Sequence, residues 1–176
     1  MSTGTLVRRD FPQMTDAERA ALIDASFAHF CQGLHVASAA DLQHEADRIE
    51  SQRPSELVFK MRAQINAVRD LRRAYGLLTK LGNDADAIAD RLRAKGIKGA
   101  RVLSNICPLA IYLETQGVTA YVSAESLSVP VDEHTTVDMP VPPAVAVFVP
   151  RFDGGVYLDL IDTSLVGDEA TDGVTF

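Results

Sequence analysis

Cys107-Pro108-Leu109-Ala110-Ile111-Tyr112-Leu113-Glu114-Thr115-Gln116-Gly117-Val118-Thr119-Ala120-Tyr121-Val122-Ser123 is the stretch in which the chain changes its period. Pro108 suits the first helical position, and Leu109, Tyr112 and Leu113 share one helical face. Gly117 followed by Val118 is a stop signal: a glycine that tolerates the left-handed conformation, then an apolar contact. From Val118 onward apolar residues come every second position. Val118, Ala120 and Val122 alternate with Thr119, Tyr121 and Ser123. Leu127, Val129 and Val131 alternate with Ser126, Ser128 and Pro130. Thr135 to Met139 is a third short candidate, and Asp132-Glu133-His134 reads as the turn before it. A two- or three-stranded antiparallel unit is predicted, with Pro130 on an edge.

Upstream the pattern is helical throughout. Thr15-Asp16-Ala17-Glu18 has the spacing of a capping box. Ile23, Phe27, Phe30 and Leu34 then give one apolar face, and Gly33 lies near its expected end. Ser38 can cap a second helix through Leu42, Ala46 and Ile49, before Pro54 interrupts the chain. Val58, Met61, Ile65, Val68, Leu71, Tyr75 and Leu78 form the longest stripe. Arg72 breaks a strict heptad, so the period is that of an ordinary amphipathic helix. Gly82 ends it. Asn83 or Asp84 caps a fourth helix through Ile88 and Leu92, and Gly96-Ile97 repeats the glycine-plus-apolar stop.

Downstream, Val141, Val145, Phe148 and Phe152 have helical spacing after Pro142-Pro143, and a short helix started by Pro143 is predicted. Asp153-Gly154-Gly155 turns the chain into Tyr157, Leu158, Leu160 and Ile161. The resulting fold class is α+β: an N-terminal helical layer, residues 14–81, packed on a helix-helix-β-hairpin unit, residues 83–162. Residues 163–176 read as a flexible acidic tail. One compact domain is expected, because the long apolar stripe needs a partner surface.

The chain has 176 residues and a net charge of −7. Its charge is unevenly placed. Residues 53–101 hold twelve Lys or Arg and five acids, whereas residues 118–176 hold ten acids and one base, Arg151. Either an anion-binding surface or two segments that pair in the fold would explain this. Cys31 and Cys107 lack metal-ligand spacing and suit free thiols in a reducing compartment. No apolar run reaches membrane-spanning length, and no secretory h-region follows Arg8 and Arg9. A cytoplasmic location without membrane contact is expected.

Cys107 is the foremost single candidate. At a helix N-terminus its thiol would feel a positive field and a lowered pKa. A thiol enzyme also needs a base, and His134 is the histidine placed on a turn that could fold back. The competing reading makes Cys107 a small buried residue beside Ile106 and Leu109. His29, His35 and His44 lack the spacing of a helical metal site, so no metal is expected, and no cofactor fingerprint is present. Asp84 with Asp86, and Asp159 with Asp162, could act as acid pairs, although Asp84 and Asp86 fit a helix first turn. The order helix, turn, helix, hairpin is also that of a winged helix. Lys60, Arg62, Arg69, Arg73, Arg91, Arg93 and Lys95 would then contact nucleic acid. The would-be recognition helix is too apolar to read a groove, which disfavours that use.

Cys107-Pro108-Leu109-Ala110 with Tyr112-Leu113, and Phe152-Asp153 with Gly155 and Tyr157, form the pattern CP-x-A-x-YL followed by FD-x-G-x-Y. In this pattern, over residues 84–161, the chain resembles small uncharacterised proteins of actinobacteria and their phages. The resemblance implies one structural unit, with Cys107 and Asp153 as packing or capping positions, and brings no activity with it. The expected function is a non-catalytic protein-binding or regulatory module. Nucleic-acid binding and Cys107 thiol chemistry are the alternatives.

Overall fold

Six α-helices, a three-stranded antiparallel sheet and two 3-10 turns make up residues 15–50 and 56–165, the residues described by the structure, a computed structural model. In chain order they are α1 (Asp16–Val36), α2 (Ala39–Glu50), α3 (Glu56–Leu81), α4 (Ala85–Ala94), α5 (Pro108–Thr115), β1 (Tyr121–Val122), β2 (Ser126–Pro130), β3 (Thr136–Pro140) and α6 (Pro143–Asp153). The 3-10 turns are Leu158–Leu160 and Thr163–Leu165. The fold is α+β as expected. Pro54, the N-terminal arginines and most of the acidic tail lie outside the described residues.

Local chemistry sets the helix ends. Ser38 and Asp41 cap α2 reciprocally: the Ser38 Oγ accepts from the Asp41 N–H at 3.2 Å, and the Ser38 N–H donates to Asp41 at 2.9 Å. Asp84 caps α4 by accepting the Ala87 N–H at 2.8 Å. Both glycine stops form as read. Gly96 (φ +66°) and Gly117 (φ +75°) are left-handed. The following Ile97 and Val118 N–H groups reach back to the Leu92 and Leu113 carbonyls, each at 3.0 Å, which closes a Schellman motif. Gly33 lies in the last turn of α1, near its end as expected. Helix α1 runs on to Val36, since buried Leu34 still belongs to its apolar face and α2 starts only after Ser38.

Helix α3 holds the molecule together. It touches α1 and α2, and also α4, α5, β2 and β3. Its buried residues Val58, Ile65, Val68, Leu71 and Leu78 join one continuous core with Leu42 and Ile49 of α2, Ile88 and Leu92 of α4, and Phe148 and Phe152 of α6. Phe148 stacks on Phe152 and on Tyr157, with centroids 6.0 and 5.4 Å apart. Each fully buried large side chain of this kind contributes about 1.5–3 kcal/mol through the hydrophobic effect.

The strand order is β1-β2-β3, so Pro130 stands on the central strand and not on an edge strand. It is tolerated for a local reason. Tyr121 pairs with Ser128 and Val122 with Leu127, so β1 ends before Pro130. Val131 donates to Thr135 in the β3 direction. By alternation the Pro130 nitrogen faces the vacated β1 side, where no ladder donor is needed.

Candidate functional site

Residues 99–106 form the loop between α4 and α5, and long-range contacts fix it at both ends. The Gly99 N–H donates to the Leu160 carbonyl and the Gly99 carbonyl accepts from the Asp162 N–H, both at 2.9 Å. A Cβ on Gly99 would lie 2.4 Å from the Pro108 nitrogen, so only glycine allows this approach. The Ala100 N–H closes the loop onto the Ile106 carbonyl at 2.9 Å, and the Ser104 carbonyl accepts from the Val122 N–H at 2.9 Å. Between them Val102 adopts φ +62°, unusual for a β-branched residue. The Val102 N–H donates to the Asp153 carboxylate at 2.8 Å. The Arg101 guanidinium donates to the Asp153 carbonyl, at 2.7 Å from Nε.

Underneath this loop lies a cleft of about 260 Å³. Val102, Leu103, Val122, Ala124, Val149 and Pro150 supply apolar surface, Ser104, Ser123 and Asp153 supply polar groups, and Cys107 also lines it. The sequence elements around Cys107 and Asp153 thus meet at one place. Cys107 is buried and caps α5, its sulfur accepting the Ala110 N–H at 3.5 Å. Its S–H faces the Ser104 and Val122 carbonyls, each 3.8 Å away.

The lowered thiol pKa expected from the helix terminus is corrected. Burial pushes the Cys107 thiol up to about 11, against the smaller lowering effect of the Ala110 and Leu109 N–H groups. Desolvation of a thiolate outweighs a helix-end field when the group is taken out of water. His134 does not line the cleft. It is exposed on the β2–β3 turn, its N–H donating to Asp132 at 2.9 Å, at the far end of β2 from the Val122–Leu127 pair. Cys107 and His134 are therefore not assembled as nucleophile and base.

The basic residues of 53–101 reach different elements. Arg69 donates to Gln43 at 2.8 Å on α2. Arg73 donates to the Gln116 carbonyl at 2.6 Å, at the end of α5. Arg91 donates to the Lys80 carbonyl at the end of α3. Arg93 forks onto Asp159 at 2.5 and 3.0 Å and also meets Asp90 at 2.8 Å. Lys95 sits over the Tyr112 ring, 5.8 Å from its centroid. Lys60 is exposed and Arg62 half-buried on α3. Arg72 and Arg101, outside the candidate set, follow the same rule, donating to the Leu34 and Asp153 carbonyls at the ends of α1 and α6. Arginines 72, 73, 91 and 101 thus engage C-terminal carbonyls of four different helices, groups that have no partner within their own helix. Sequence spacing holds no signal for such long-range pairs.

The acid pairs are engaged too. Asp84 is a helix cap, while Asp86 accepts from the Tyr157 hydroxyl at 2.7 Å and from Arg151 at 3.5 Å. Arg93 holds the Asp159 carboxyl below its usual range, and Ser164 does the same for Asp162. His29 and His44 flank a groove of about 330 Å³ between α1 and α2, with Asp41 and Glu45. Those two acids are bound to Ser38 and Arg48. Among the described residues no three His, Cys, Asp or Glu side chains are grouped so as to hold a metal ion. Nor is any described helix long and apolar enough to cross a membrane.

Set against family models, curated proteins and solved structures, the chain matches none of them.

Proposed function

We propose that the protein is a non-catalytic binding module that docks another protein on the 101–104 loop and the adjoining 153–158 turn, and that it works in the cytoplasm. The observation that carries this is a concentration of exposed apolar side chains. Val102 is 78% exposed, Leu103 44%, Val156 61% and Leu158 70%. The two segments are tied together by the Arg101 and Val102 bonds to Asp153. Apolar side chains gathered on one surface mark interaction sites more often than scattered ones do. The adjoining cleft of about 260 Å³ is smaller than the roughly 300–1,000 Å³ of small-molecule sites, and suits a single anchoring side chain of a partner. The strained Val102 backbone supports the same reading, because strain persists where it presents something useful. The free thiols Cys31 and Cys107 suit a reducing compartment. The protein's likeness to actinobacterial and phage proteins belongs to the same proposal.

The test compares affinity capture by the wild type, Val102→Asp, Leu158→Asp and, as a control, Phe59→Asp at an exposed position of α3. A protein retained by the wild type and by the control, but lost with both loop variants, supports the proposal. Retention by the wild type and all three variants alike overturns it. Val102→Gly separates folding from binding. Relief of the left-handed strain is expected to stabilise the fold by about 1 kcal/mol while weakening capture.

A further inference from the structure

We propose that the free edge of β3 accepts an extended, basic peptide segment as a fourth strand of the sheet. This surface is made of residues other than those of the proposed docking loops and does not depend on them. The register decides which backbone groups are available. Leu127 pairs with Met139 and Val129 with Val137. Val131 donates to Thr135 at 2.8 Å and Val141 to Glu125 at 3.3 Å. The odd-numbered residues of β3 therefore bond inward to β2. By antiparallel alternation, the N–H and C=O of Thr136 and Asp138 and the C=O of Pro140 point outward. No backbone partner for these groups is present among the described residues. The side chains of Thr136, Asp138 and Pro140 are exposed on one face of the sheet and Val137 is buried on the other, so the strand is anchored in the core, and its outer edge pairs with no strand among the described residues. Such an edge is a ready template for a further strand.

Charge selects the partner. Between Arg101 and Arg151 the chain has no Lys or Arg, and Asp132, Glu133 and Asp138 all lie on or beside β3. A second copy pairing antiparallel about Asp138 would set two carboxylates directly opposite, which is destabilising. A heterologous strand with Lys or Arg opposite Asp138 gains a favourable cross-strand pair instead. Pro140, lacking an N–H, limits the edge to a short segment and disfavours open-ended assembly.

The probe is a fluorescein-labelled, end-blocked octapeptide, Thr-Val-Lys-Val-Thr-Val-Lys-Val, titrated by anisotropy, with hydrogen exchange read at Thr136 and Asp138. Binding is expected to slow exchange at both amides. Asp138→Lys should weaken binding by about tenfold or more, as an attractive cross-strand pair becomes repulsive. Thr136→Pro should abolish binding while leaving thermal stability close to wild type, because the N–H it removes points outward. The Val102→Asp docking-loop variant should bind the peptide normally, so the two proposals fail separately. Unchanged affinity in both β3 variants overturns the inference. So does equal binding of a peptide of the same charge interrupted by proline, which would mean charge attraction without strand pairing. A wild-type dimer that Thr136→Pro dissociates would assign the edge to a second copy and overturn it as well.

Discussion

Residues 53–101 and residues 118–165 differ in how far their side chains reach: arginines of the first bond to distant helix ends, whereas Asp132, Asp138 and Asp162 of the second bond to neighbours within a few residues. The first segment is rich in cations, and Arg72, Arg73, Arg91 and Arg101 are turned onto helix C-terminal carbonyls of α1, α5, α3 and α6. The second is acidic, and it leaves Asp138 at an open strand edge and Val156 and Leu158 exposed. Carbonyl oxygens at a helix end carry partial negative charge, so a guanidinium satisfies both their hydrogen bonds and their field. An excess of one charge in a sequence is thus poor evidence of a binding surface. Groups that the fold has not engaged are better evidence, and here they lie in the second segment and in the loop at 102–103.

The junction of the two segments is where the comparison breaks most sharply. Gly99 lets the loop backbone lie against the start of α5, and a Cβ there would come within 2.4–2.6 Å of Pro108, Cys107 and Ile106 backbone atoms. Those atoms belong to a helix cap and cannot give way cheaply. Gly99→Ala is expected to destabilise by about 3 kcal/mol through overpacking, measured as the shift in urea midpoint. A change below about 0.5 kcal/mol, the usual range of surface substitutions, would mean that the two segments are not held in register here.

The next largest effect tests whether the arginines are structural. Arg73→Met removes the donor to the Gln116 carbonyl, and Arg101→Met the donor to the Asp153 carbonyl. Each should cost about 1 kcal/mol, a typical net value for an intramolecular hydrogen bond. Asp138→Asn, in the acidic segment, should stay within about 0.5 kcal/mol of wild type. Equal small effects in all three variants would erase the distinction and return the arginines to the role of solvated charges.

These differences show what kind of information the sequence holds. The capping positions Ser38 and Asp84, the stops at Gly96-Ile97 and Gly117-Val118, the change of period at Val118 and the helix from Pro143 were all legible, because each follows from neighbours within about one or two turns of chain. The bridge from Gly99 to Ile161, the pairing of Arg73 with Gln116 and the bond from Val102 to Asp153 were not. They join residues far apart in the chain, and no local period encodes them. Val102 is the hardest case, since a β-branched residue gives no sign of a positive φ. For Cys107 the sequence placed the residue at the helix cap and offered both a reactive thiol and a small buried residue; the structure has the buried one, a choice that local spacing does not make because burial is a tertiary property.

Thiol labelling sharpens that last point. Cys107 is buried and its thiol is pushed up to about 11, while Cys31 is half-buried, its thiol also raised by burial. With iodoacetamide at pH 7.5, the native protein should label at Cys31 well before Cys107, and both should label readily once unfolded, since only the thiolate reacts. Faster labelling of Cys107 would mean that the 101–106 loop opens and exposes a reactive thiol, reviving its use as a nucleophile.

The smallest effect concerns the shorter of two ion pairs that join the segments among the described residues, Arg93–Asp159, the other being Arg151–Asp86. Arg93 donates to Asp159 at 2.5 Å and 3.0 Å, and this holds the carboxyl below its ordinary value of 3.8. A carboxylate depressed by folding contributes stability above its unfolded pKa and loses it as pH falls through the lower, folded value. The contribution is therefore whole at neutral pH, begins to fall near the ordinary value of 3.8 and is gone only below the lower, folded value. Asp159→Asn removes it at every pH. The difference in Tm between wild type and Asp159→Asn should be constant above about pH 5 and close as the pH falls below 4. Both groups are partly exposed, so the difference should also shrink in high salt. Parallel curves down to acid pH would mean that the fork does not persist in solution, and that Asp86 with Arg151 and Tyr157, and Asp153 with Val102 at the junction, carry the side-chain contact between the segments.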